Sequence, residues 1–148
     1  MKLKYPALIL GSCLITILFA VSIQGQRGRF NPDGSFWIIG DAPPSFRNFG
    51  GINLNSNRNR RLPGAGVDLT DGSRIKFKML SVSRARLTFA TANLRGVAYS
   101  FSGRFLRGGV FAAQDLEEKT VLEGVLKKLS GGKVVAEARL SFSYFGGT

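Results

Sequence analysis

From Ser73 onward, apolar and polar residues alternate with a period of two. Ile75, Phe77 and Met79 alternate with Arg74, Lys76 and Lys78, and Ala85, Leu87 and Phe89 with Arg84, Arg86 and Thr88. Val97, Tyr99, Phe101 and Phe105 alternate with Ala98, Ser100, Ser102 and Arg104. In the run from Lys133 to Tyr144, Val134, Ala136, Ala138, Leu140, Phe142 and Tyr144 alternate with Lys133, Val135, Glu137, Arg139, Ser141 and Ser143. Successive side chains of a strand point to opposite faces, so this pattern predicts strands with one buried and one wet face. Turn formers separate them: Ser81/Ser83, Asn93, Gly108-Gly109 and Ser130-Gly131-Gly132. Short strands joined by short turns predict a mainly β fold, an antiparallel meander closing as a small barrel or a sandwich.

Residues 115–129 read in two ways. As a helix, Asp115 would cap, acids lead, Lys127 and Lys128 trail, and Leu122, Val125, Leu126 and Leu129 share a face. As a strand, 121–129 and 133–145 flank Ser-Gly-Gly as the arms of a hairpin. Gly124 and the β-branched residues disfavour the helix, so the hairpin is preferred. Ser102-Gly103-Arg104-Phe105-Leu106 is weakly echoed in Glu123-Gly124-Val125-Leu126-Lys127.

Residues 26–72 are punctuated and basic: Asn31-Pro32-Asp33-Gly34 is a turn signal, Ser35 to Ile39 a short apolar run, and 53–61 an Asn/Arg tract. One or more short strands are expected here, joining 73–148 in a single domain. Ahead of them, Lys2 and Lys4 precede an apolar run of 17 residues, Ala7 to Ile23. That run, followed by small residues, predicts a signal peptide over 1–25, cleaved after Ser22 or Gly25. The rival is an uncleaved anchor through 7–23, favoured by Arg27 and Arg29 just beyond the run. Cys13 sits too early in the apolar run for a lipoprotein signal and reads as an apolar-helix cysteine. The expected location is export, periplasmic or extracellular, and cleavage would leave no cysteine.

Composition then narrows the chemistry. The chain has 148 residues, no His and one Cys. A His triad, a His metal site and a Cys zinc cluster are thereby excluded. Ser130-Gly131-Gly132-Lys133 fits S-x-x-K but lies between two strands without its partner motifs, so a turn explains it. Asp115, Glu117, Glu118 and Glu123 read as a solvated cluster beside Lys119. Asp68 to Gly72 lacks the spacing of a calcium loop and reads as a β-turn. No catalytic set, metal site or cofactor is expected.

Charge is the most informative feature. The net charge is +12, and residues 26–107 hold 14 Lys and Arg against 4 acids, whereas 108–148 hold 5 of each. Arg74, Lys76, Lys78, Arg84, Arg86 and Arg104 occupy the polar parity of their strands. Neighbouring strands would turn them into a basic plate, overhung by Arg58, Arg60 and Arg61, suited to polyanions. Export points to anionic polysaccharide or lipid headgroups as partners. Nucleic acid is disfavoured because the Phe residues lie on the opposite, apolar parity and are not offered for stacking. The expectation is an exported, non-catalytic binding or structural β protein. The alternatives are a lipocalin-like carrier of a small apolar ligand and a small outer-membrane β-barrel, which the scarcity of Trp and Tyr disfavours.

Overall fold

The computed structural model describes residues 30–54, 64–106, 111 and 119–145. The proposed signal segment with Cys13, the tract bearing Arg58, Arg60 and Arg61, the Gly108-Gly109 separator and the acids 115–118 lie outside them. Eight strands follow one another: β1 (Gly34–Ile38), β2 (Phe49–Leu54), β3 (Gly66–Leu69), β4 (Arg74–Val82), β5 (Arg86–Thr91), β6 (Val97–Phe105), β7 (Leu122–Ser130) and β8 (Lys133–Phe145). Each pairs antiparallel with the next, and β1 pairs with β8 to close a barrel, with Ser35 opposite Phe145 and Ile38 opposite Phe142. The helical alternative fails over 122–130, where β7 pairs along its whole length with β6 and β8. Gly131 (φ +56°) and Gly132 (φ +80°) form the two-residue turn between Ser130 and Lys133. Positive φ at both central residues gives the turn whose twist suits a hairpin.

The lumen is filled by rings. Phe36, Phe89, Phe142 and Tyr99 are almost wholly buried. Phe142 meets Phe101 at 5.6 Å and Phe49 at 6.3 Å, while Phe101 stacks on Phe89 at 5.5 Å between ring centroids. Phe36 packs against Tyr144 (5.4 Å) and Phe105 (5.9 Å) nearer the mouth at which the chain enters. There the Tyr144 hydroxyl donates to the carbonyl of Asp33 at 2.5 Å. Burial, followed by the charge of Asp33, raises the phenol's pKa, so it stays a neutral donor. The outer face carries mainly Arg, Lys, Glu and Ser, with Trp37, Met79, Val135 and Phe145 exposed among them, so the alternation runs largely apolar-in and polar-out.

Two bulges break that alternation. In β4 the register jumps between Phe77 and Met79, placing Lys78 and Met79 together on the outer side. Met79, expected inside with Ile75 and Phe77, is 62% exposed. In β8 the register jumps across Val135, so Val134, expected on the buried parity, is exposed as well. The extra residue in each case shifts every position beyond it by one face.

Thr91 completes the ladder at the end of β5. Its hydroxyl accepts the Tyr99 N–H at 2.9 Å and donates to the Ala92 carbonyl at 2.8 Å. Thr91→Val keeps the shape and strands a buried N–H, which costs about 1–3 kcal/mol. Chemical denaturation of this variant is expected to show that loss, with Thr91→Ser retaining most of the stability.

Candidate anion-binding surface

The strands of the expected basic plate are neighbours, in the order β4, β5, β6. Their cations are not equivalent. Arg74 lies opposite Asp68 on β3, pairs with its carboxylate and donates to the Gly64 carbonyl at 2.6 Å. Arg104 lies opposite Glu123 on β7, and both its Nε and a terminal nitrogen reach the Glu123 carboxylate at 2.7 Å. These two cations are spent on cross-strand neighbours.

Lys76, Lys78, Arg84 and Arg86 are exposed and have no acidic partner among the described residues. Lys76 sits low on β4, and Lys78 lies outward above it at the bulge. Arg84 occupies the β4–β5 turn, whose Ser83 N–H donates to the Arg86 carbonyl at 2.9 Å. Arg86 faces Arg104 directly across β5 and β6. Like charges in that position repel, and Glu123 relieves the clash by neutralising Arg104. The free cations therefore form a strip rather than a plate. It runs about 23 Å from Lys76 to Arg86 at roughly 3.3 Å per residue. Met79 is exposed between its halves.

Arg58, Arg60 and Arg61 lie outside the described residues. The residues flanking their tract, Leu54 and Gly64, belong to the β2–β3 connection at the mouth that also carries Arg84, Arg86 and the entering chain at Phe30. The opposite mouth holds the turns 70–73, 92–96 and 131–132 and a 3-10 helix (Pro44–Phe46) whose Phe46 plugs the lumen. A half-open cleft sits at that mouth, with Lys128 and Tyr99 in its lining. Parity alone would have flagged Lys128: in β7 it follows Leu122, Gly124 and Leu126 on the inward-facing set, where a lysine is out of place.

The whole defines an eight-stranded up-and-down barrel with an apolar, ring-filled interior and, on β4, β5 and their turn, a strip of cations with no acidic partner among the described residues. Comparison with protein families, with curated proteins and with solved structures found no match.

Proposed function

We propose that the protein is an exported, non-catalytic barrel that binds polyanions, acidic polysaccharide or anionic lipid headgroups, through Lys76, Lys78, Arg84 and Arg86. The observation that carries this is a run of adjacent cations left without carboxylates. Arg74 and Arg104 have carboxylate partners on adjacent strands, whereas these four, side by side on β4, β5 and their turn, have none among the described residues. Solubility alone would be met by paired charges as well as by unpaired ones. A strip of unpaired cations releases counterions when a chain of regularly spaced anions lies along it. The polar outer face supports a barrel standing in water over one spanning a bilayer, whose apolar band would point outward. Retention of residues 7–23 would place the same strip beside a membrane; cleavage would free it to meet soluble or wall-bound glycan.

Titration with an acidic polysaccharide and with vesicles, anionic and neutral, tests this. Binding to one of the anionic probes that weakens steadily as salt rises is the expected result. A preference for polysaccharide or for vesicles names the partner. Equal affinity for neutral vesicles or a neutral polysaccharide, or affinity indifferent to salt, would remove the reading.

A further inference from the structure

The cleft at the mouth opposite the chain's entry has the composition of a ligand site. Its volume is about 150 Å³, the size of a cavity that holds a benzene ring. One wall is apolar, made by Leu69, Ile75, Leu94 and Val97. The remaining lining is polar and its charges do not cancel.

Lys128 supplies the excess. It lies opposite Tyr99 on β6 and opposite Ala136 on β8, on the set of β7 positions that point inward. Its ammonium donates to the Ser45 carbonyl at 3.2 Å, which leaves two of its three N–H groups, and no carboxylate among the described residues pairs with it. Asp71 is the lone acid of the lining, and it is already engaged. Its carboxylate accepts the Ser73 N–H at 2.9 Å and the Ser73 hydroxyl, and Arg95 stands 3.9 Å away. The hydroxyl bond above all, then the backbone N–H, holds this carboxyl below its ordinary pKa.

Tyr99 adds a neutral donor. Its residue is 1% exposed, and its hydroxyl has no partner among the described residues. Tyr99 is among the residues that line the cleft. Burial raises the phenol's pKa, keeping the proton on the oxygen.

The hairpin beside the cleft is built at a backbone cost. Leu94 and Val97 exchange both hydrogen bonds across Arg95 (φ +53°) and Gly96 (φ +84°). Such a turn suits Asn or Gly at both positions. An arginine at the first holds a sparsely populated conformation, with its guanidinium beside Asp71 at the rim.

We propose that this cleft binds a small organic monocarboxylate with an apolar body, its carboxylate held by the Lys128 ammonium and the Tyr99 hydroxyl. One uncompensated cation matches one negative charge. A dianion such as phosphate would meet Asp71 and would lose its hydration against the apolar wall. An uncharged ring would leave Lys128 without a counter-charge. The site stands apart from the cation strip, and neither depends on the other.

The test titrates the full chain with benzoate, benzyl alcohol, benzylamine and inorganic phosphate, followed by calorimetry and by amide NMR. Benzoate is expected to bind saturably, shifting the amides of Leu94, Val97, Tyr99 and Lys128, with the other three at least tenfold weaker. Lys128→Met is expected to weaken benzoate tenfold or more, while Lys128→Arg retains binding and Arg84→Glu/Arg86→Glu leaves it unchanged. Tyr99→Phe keeps the ring and removes the donor, so a several-fold loss there supports the site even if Lys128→Met fails to fold. Equal affinity for benzyl alcohol, tighter binding of phosphate, absent shifts at the cleft, or benzoate affinity unchanged in a folded Lys128→Met or Tyr99→Phe would each overturn it.

Discussion

Gly124→Val is expected to lower the barrel's melting temperature by roughly 10 °C or more. Gly124 and Gly103 face each other across β7 and β6 on the inward side. The Phe101 ring lies down over both. A Cβ on Gly124 would stand 2.5 Å from the Gly103 Cα and 2.6 Å from Phe101 Cζ. One neighbour is backbone, which cannot yield. The other is a ring wedged between Phe89 and Phe142. Overpacking of this kind costs about 3 kcal/mol, a large share of the roughly 5–15 kcal/mol that holds a domain folded. Ser102→Val, one position away on the outer face, has the opposite geometry and should stay within about 0.5 kcal/mol of the parent. Circular-dichroism melts of the two variants separate close packing from mere strand propensity, and similar melting of both would deny the glycine pair its role.

The second large effect is on binding. Lys76→Glu, Lys78→Glu, Arg84→Glu and Arg86→Glu together should reduce affinity for the acidic polymer by about a hundredfold or more at low salt. The slope of log affinity against log salt should flatten by about 3, as four released counterions require. Net charge alone would also weaken binding, so the informative comparison carries the same four reversals elsewhere. Arg47, Lys119, Lys133 and Arg139 are exposed away from the strip, and their reversal to Glu should cost at least tenfold less. Equal losses in the two variants would reduce the strip to a contribution to overall charge. All eight positions are at the surface, so melting temperatures should change little.

The fold was largely legible because period two is a direct record of which face is wet. The ring-bearing positions Phe89, Tyr99, Phe101, Phe105 and Phe142 all point inward as alternation requires. Residues 115–129 were ambiguous because Leu122, Val125, Leu126 and Leu129 satisfy helical spacing as well. The Gly131-Gly132 turn and the cross-strand partners of Gly124 decide for the hairpin. Met79 and Val134 were misplaced because a bulge is a single extra residue with no composition of its own. The Gly103/Gly124 echo was visible as a repeat, but its cause, room for one ring, is a tertiary fact. Pairing was likewise hidden: the sequence shows six cations on polar positions, and register alone shows that Arg74 and Arg104 have partners. The cleft gathers residues from three connections and from β3, β4, β6 and β7, so no local motif announces it, although a lysine among inward leucines marked its key group.

The seam between β1 and β8 has a kinetic meaning. Seven pairings join strands adjacent in the chain, and one joins Ser35 to Phe145 across nearly its whole described length. Local hairpins such as β7–β8 close quickly, whereas a contact of such separation carries the full entropy of the loop it closes. During synthesis β1 emerges long before its partner exists. The barrel therefore stays an open, unsealed ribbon until β8 has been made, and the last strand synthesised is the one that seals it.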